Sequence, residues 1–226
     1  MRSDISSYKT FVFDCDGVIL NSNNVKTKAF WESVIDFGED KARELVDYHK
    51  SRGGISRYIK FEHFIDNILS SSDFQLSRQS LLNSLLDRYS SNVISGLLNC
   101  QLSEYIGKLR CKFNHVKWVV VSGGDQIELN SVFKSRSIKP LFDGGIFGSP
   151  DSKDIILERE ILANTITLPA IFFGDSIYDY TVSKRFGLDF CFISDWSEVR
   201  NKHQFVSENN LSTVTNLGVF LDDLYV

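Results

Sequence analysis

Short apolar runs alternate with stretches of helical periodicity along most of the chain. Residues 9–14 (KTFVFD) form a continuous apolar run that ends abruptly in acids and a glycine, which predicts a buried strand carrying Asp14 at its carboxyl end. From about 20 to 95 the pattern changes. Ala29, Phe30, Val34 and Phe37, then Ile55, Tyr58 and Ile59, then Leu81, Leu82, Leu85, Leu86 and Tyr89 recur at helical spacing, with almost no β-like alternation. This predicts a helical insertion. Strand character returns at 116–121 (VKWVVV), before a helix at about 125–136, a short strand and loop at 142–150, and a helix at 152–163. A strand at 169–173, a helix at 176–187, a strand at 189–193 and a closing helix at 217–224 complete the reading.

Strands that are apolar throughout and alternate with helices predict an α/β fold with a parallel sheet covered on both faces. Chemistry gathers at the carboxyl ends of such strands. The residues falling there are Asp14, Asp16, Ser122 and Asp175.

Composition narrows the classes. With 226 residues, 42% hydrophobic and 24% charged, the chain fits one domain with a large insertion, and whole-chain disorder is excluded. The net charge of −4 gives no basic excess to suggest a nucleic acid or anionic membrane as partner. No run approaches the about 20 apolar residues of a membrane helix, and MRSDISSYKT has no apolar core for a secretory signal. Cys15, Cys100, Cys111 and Cys191 show neither a Cys-x-x-Cys pair nor zinc spacing and read as reduced, mostly buried residues of a cytoplasmic protein.

Four constellations carry chemistry. In Asp14-Cys15-Asp16-Gly17-Val18, two carboxylates after a buried strand repel each other unless a cation joins them, and all-oxygen ligation suits Mg²⁺. One acid then serves as nucleophile and the other as general acid/base; the bland alternative is an Asp-Gly turn. In Gly174-Asp175-Ser176-Ile177-Tyr178-Asp179, two acids share one side of a first helical turn, where capping alone explains one of them. Ser122, followed by Gly123 and Gly124, offers a hydroxyl and open N–H groups to a phosphate, or is a plain N-cap. Lys153 balances the carboxylates and meets phosphate oxygens, or is a solvated lysine.

In order and spacing these elements resemble the haloacid dehalogenase superfamily over essentially the whole chain. FDCDGV looks like its first motif, VVVSGG its second, Lys153 the lysine of its third, and FFGDSIYDY its fourth. The resemblance implies a Rossmann-like core (residues 1–19 and 97–226) with an inserted helical cap (20–96). Asp14 would be the nucleophile and Asp16 the general acid/base. Mg²⁺ would be held by Asp14, Asp175, the Asp16 carbonyl and, through water, Asp179. Ser122, Gly123 and Lys153 would hold the phosphoryl group. Dehalogenases of the superfamily generally lack the second aspartate of the first motif, so Asp16 favours phosphoryl transfer.

Gly53-Gly54-Ile55-Ser56-Arg57 resembles the specificity loop of β-phosphoglucomutase-like members, which points Arg57 at the substrate, with Arg52 and Lys60 as nearby alternatives. Two departures stand out: Asn21 replaces an Asp found in many relatives, and Lys26 falls where the phosphomutases place a histidine. Asn23 and Asn24 are weak candidates for the cap–core cleft. His49, His63, His115 and His203 lack ligand spacing and read as structural or exposed.

The expected function is a Mg²⁺-dependent phosphatase acting on a small phosphorylated metabolite, such as a sugar phosphate or a phosphoglycolate-like compound. A sugar phosphomutase is the alternative and a silent binding protein the third reading. The expected partner is that small molecule alone, with the chain a monomer or weak homodimer.

Overall fold

The computed structural model of the chain describes residues 5–219. Its centre is a six-stranded, wholly parallel sheet in the order β3-β2-β1-β4-β5-β6. The strands are β1 (Thr10–Phe13), β2 (Lys117–Asp125), β3 (Gly145–Ser149), β4 (Ala170–Gly174), β5 (Asp189–Ile193) and β6 (Ser212–Val214). β1 lies between β2 and β4, with Phe13 opposite Val120 on one side and Phe173 on the other. The chain therefore reverses its direction of travel across the sheet at β1, and ligands of open α/β sheets bind at the carboxyl ends beside such a switch point.

β1 and β4 are buried along their whole length because both sheet faces are covered. Phe11, Phe13, Trp118, Val120 and Phe173 face one apolar cluster; Val12, Val119, Val121 and Phe172 alternate onto the other. The Phe13 and Phe173 rings stack at 5.0 Å between centroids. Burying each such ring contributes about 1.5–3 kcal/mol, which makes the strands carrying the site a rigid base.

The segment between β1 and β2 opens with α1 (Asn23–Val34), α2 (Glu39–Ser51), α3 (Arg57–His63) and α4 (Arg78–Asn99). α3 runs on into a π-helical turn, Phe64–Ile68. Their apolar stripes meet: Phe30 of α1 packs against Phe61 of α3 and Tyr89 of α4. α5 (Ile106–Lys112) leads into β2, and α6 (Gln126–Ser135), α7 (Lys153–Leu162), α8 (Ile177–Arg185) and α9 (Lys202–Glu208) follow in order.

The periodicity places the first five strands and the helices α6 to α8 to within a few residues, and the expected helical insertion contains α1 to α4, although no apolar set marks α2. β2 runs four residues further than VKWVVV, through the glycines, with its register to β3 shifting between Val121 and Asp125. α5, α9 and β6 are additions. α5 and α9 have seven residues each and β6 three, and α9 buries none of its residues, so their hydrophobic pattern is too short to read. The expected closing helix falls mostly outside the described residues; within them, Leu217 is buried next to a turn. No helix among the described residues is long and apolar enough to cross a membrane. Cys15 and Cys191 are buried, Cys100 is half-buried and Cys111 exposed, so burial is less general than expected.

Candidate active site

Each strand end delivers one part of the site. Asp14 follows β1 directly, and its backbone N–H donates to the Phe173 carbonyl (2.9 Å), so the β1–β4 pairing fixes its position. Asp175 follows β4, and Asp179 lies one turn into α8. Ser176 caps α8: its hydroxyl accepts from Asp179 N–H (3.2 Å), while Asp179 Oδ2 accepts from Ser176 N–H (3.1 Å) and Oγ–H (2.6 Å). The capping role of Asp179 is thus real. Its other oxygen, Oδ1, accepts from Lys153 Nζ at 2.5 Å.

Lys153 opens α7 and is completely buried. Its ammonium also stands 2.8 Å from Asp14 Oδ1, close enough for an ion pair but outside hydrogen-bond geometry, so that oxygen has no hydrogen-bond donor. Oxygens of Asp14, Asp175 and Asp179 all lie within 4.8 Å of one another, and the three residues are buried. Burial pushes the Asp14 carboxyl up to about 7; Lys153 opposes the shift, and the charges of Asp179 and Asp16 add to it. Asp175 is held well above the usual carboxylate range by burial and by the charges of Asp14 and Asp179, although Asn23 Nδ2 donates to its Oδ2 at 2.9 Å. One ammonium does not balance three buried carboxylates. An oxygen without a donor, a crowded all-oxygen ligand set and raised proton affinities are what a hard divalent cation relieves, so the residues fit Mg²⁺.

The loop of the first motif wraps closely over this cluster. Gly17 has φ +77°, and a Cβ there would lie 2.0 Å from Asp175 Oδ2. Asp16 turns away from Asp14. Its Oδ1 accepts from Ser22 Oγ (2.6 Å), and its Oδ2 pairs with Lys26 Nζ. Burial pushes the Asp16 carboxyl up, but the Lys26 charge and the hydrogen bonds from Lys26 and Ser22 outweigh it, and the net shift is downward.

A cavity of about 410 Å³ opens above the acids, between the strand ends and the four inserted helices. Of the sequence-derived residues, Asp14, Asp16, Gly123, Asp175 and Arg57 line it, while Ser122, Lys153 and Asp179 are buried behind its wall. Ser122 Oγ accepts from Gly124 N–H (3.0 Å). A Cβ on Gly123 would meet the Gly54 carbonyl at 2.2 Å, so glycine there lets the Gly53–Arg57 loop sit against the end of β2. Arg57 reaches the cavity but is engaged: it pairs with Glu128, donates to Ser90 Oγ (3.1 Å) and lies 4.5 Å over the Tyr89 ring.

Three features escaped the sequence reading or were weak in it. Lys26 takes hold of Asp16. Asn23 joins Asp175 to the Trp196 carbonyl (2.7 Å), whereas Asn24 is exposed. His49 and Lys60 are buried and line the cavity. Ser22, Asn23 and Lys26 fall at helical spacing immediately after the first motif, a pattern that puts them over the site. His63 stacks on Tyr48, and His115 and His203 are exposed.

Known structures of the same fold agree with this architecture. A haloacid dehalogenase-like hydrolase from Streptococcus pneumoniae is 19% identical, with a TM-score of 0.69 over 96% of this chain and 99% of the other. A protein from Clostridium acetobutylicum described as a predicted phosphatase is 16% identical, with a TM-score of 0.71 over 97% and 99%. CbbY from Rhodobacter sphaeroides, solved in complex with phosphate, is 14% identical, with a TM-score of 0.65 over 86% and 90%. A search of curated proteins gives no significant match. The profile of the haloacid dehalogenase-like hydrolases matches residues 8–187, four fifths of the sequence and all four site motifs, and the chain belongs to that family.

Proposed function

We propose that the protein is a Mg²⁺-dependent phosphomonoesterase that cleaves a small phosphorylated metabolite, such as a sugar phosphate or a phosphoglycolate-like compound, through a phosphorylated Asp14. The observation carrying this reading is the buried cluster of Asp14, Asp175, Asp179 and Lys153 under the cavity at the β1–β4 switch point.

Asp14 and Asp175, the Asp16 carbonyl and, through water, Asp179 would hold the Mg²⁺. When bound, the ion neutralises charge on the carboxylates and on the phosphate oxygens. Asp14 attacks phosphorus, and the bond from phosphorus to the ester oxygen breaks as Asp16 delivers a proton to that oxygen. Asp16 then takes a proton from the water that attacks the phosphorylated Asp14, which releases phosphate and restores the carboxylate. Lys153 and the N–H groups beside Ser122 and Gly123 stabilise the equatorial oxygens, the main task when the transition state is loose.

Lys26 keeps Asp16 ionised, the form required for the second step. Acid action in the first step requires that contact to loosen, and Lys26 rides on α1, the first helix of the insertion. Residues 20–96 would therefore act as a cap whose motion opens the cavity and commits the substrate. Hydrolysis is favoured over the mutase alternative because Lys26, paired with Asp16, occupies the place where those relatives carry a histidine.

The test is phosphate release across sugar phosphates, phosphoglycolate and nucleotides, with and without a Mg²⁺ chelator. Selective release is expected, with Asp14→Asn at least 10³-fold slower and chelation abolishing the rate. Substantial activity in Asp14→Asn would remove the nucleophile assignment, and a rate indifferent to chelation would remove the metal.

A further inference from the structure

The helical wall of the cavity is cationic. Lys26, Lys50, Arg52, Arg57, Lys60 and Arg200 line the cavity against four carboxylates: Asp14, Asp16, Asp175 and Glu198. Three of these six cations already have a carboxylate partner. Lys26 is held by Asp16 and Arg57 by Glu128, while the exposed Arg200 stands 3.8 Å from Asp47.

Lys60 differs. It is 3% exposed, and no carboxylate of the described residues lies within ion-pair distance of its ammonium. Glu198, which lines the same cavity, is 3.4 Å from Thr27 Oγ1 instead. The neighbours of Lys60 are the Phe30 ring, 5.5 Å away, and His49 Nδ1 at 2.8 Å. With Lys60 donating, Nδ1 accepts and the imidazole proton sits on Nε2. That Nε2 is itself buried and has no partner. Lys60 is thus a buried cation on the cavity wall whose close polar neighbour is a neutral imidazole, with Asp16 and Glu198 acting on it only from a distance. That arrangement costs folding free energy as it stands, and an anionic group reaching the remaining ammonium hydrogens would relieve it.

We propose that Lys60, held in place by His49, forms a second anion subsite, so that the substrate is a phosphomonoester bearing a second anionic group, a carboxylate or a second phosphate, remote from the phosphoryl group transferred at Asp14. This rests on the phosphomonoesterase reading for the first group and names the class of the second. Burial, reinforced by the positive charge of Lys26, lowers the Lys60 ammonium to about 7, so an arriving anion also restores its full charge. The His49 imidazole is held neutral by burial and by Lys60, so its Nδ1 accepts from Lys60 and orients the ammonium rather than adding a second cation. The site favours compact anionic substrates over neutral sugars, because a hydroxyl cannot supply the missing charge.

The test uses binding, which needs no turnover. Calorimetric titration of the full-length Asp14→Asn chain in Mg²⁺ compares phosphoglycolate and its three- and four-carbon homologues with alkyl phosphates of the same length. Diol bisphosphates of matching span form a third arm that separates a carboxylate from a phosphate. At least one anionic member should bind ten times or more tighter than its alkyl partner, and adding Lys60→Met should bring that ratio close to one. Lys60→Gln is the second variant, and thermal unfolding checks the fold of each. A ratio below threefold at every length, no binding at all, or a preference that survives both substitutions overturns the subsite. Phosphate release by the wild-type chain is followed in parallel. If no ester is cleaved while the binding preference and its loss are both seen, the phosphomonoesterase reading fails and the subsite stands.

Discussion

Asp14 is the residue on which burial, charge and chemistry pull hardest. Its carboxyl rises from an ordinary 3.8 to about 7, mainly through burial and despite Lys153. The folded state therefore binds more protons than the unfolded chain between these values. Stability from this group is complete below about pH 3.8 and is lost as pH rises through about 7. In chelator, Asp14→Asn is thus expected to unfold at a higher temperature than wild type at pH 8, by on the order of 2 kcal/mol, with the gap closing toward pH 4. Saturating Mg²⁺ should reverse the order at pH 8, adding about 2.7 kcal/mol to wild type at a hundred times the dissociation constant and much less to the variant. Thermal unfolding across pH, with and without metal, measures both effects. An Asp14→Asn chain no more stable than wild type in chelator at pH 8 would mean that Lys153 alone balances the cluster.

At the scale of the elements, α2 and α3 carry the same tension in a different form. Lys60 of α3 has an ordinary value of 10.5 that burial lowers to about 7, so protonation opposes folding. Its stability contribution is present above about pH 10.5 and is lost as pH falls through about 7. Lys60→Met replaces that cation with an apolar chain of similar length against Phe30. It should stabilise the protein by about 1–4 kcal/mol at pH 6, with the advantage shrinking toward pH 10, as denaturant unfolding at the two pH values would measure. Equal stability at pH 6 would place the ammonium in water. This pair also marks where the sequence stops being legible. The acids at 14, 16 and 175 announce themselves because apolar strands end at them and parallel strands align their ends. Helical spacing predicts that the insertion is helical, but which flank of each helix faces a cavity is decided by how four helices pack. Resemblance alone draws attention to Lys26 and Lys60 in the sequence, and His49 reads there as structural or exposed; that all three are buried or partly buried beside the site emerges only in three dimensions. Arg57 is the converse: its loop was legible, but its partner Glu128 lies 71 residues away.

For the whole molecule, the question is whether the inserted helices and the sheet open as one body or two. One apolar cluster runs from Phe11 and Phe13 of the sheet through Phe30, Phe61 and Leu85 of the helices, which favours a single cooperative unit. One set of polar contacts gathers at the end of β2. Arg57 pairs with Glu128 on α6 with both side chains almost buried, Tyr58 donates to Asp125 Oδ2 at 2.8 Å, and the Gly54 carbonyl lies against Gly123. Asp125 Oδ1 simultaneously caps α6 through the N–H groups of Ile127 and Glu128 (3.0 and 2.9 Å). A cap that moves must break this latch, and the latch is worth most where water is excluded. Glu128→Gln keeps the size and an acceptor but leaves the Arg57 charge without its counter-ion, which should cost about 1–3 kcal/mol of local stability. Hydrogen exchange reads where that loss falls. If the cap is a separate body, amides at 53–57 should exchange about tenfold faster, equivalent to about 1.4 kcal/mol, while those of β1 keep their protection. Equal acceleration at both would mean that helices and sheet share one opening event, and that substrate enters through side-chain motion at the cavity mouth rather than through a hinge.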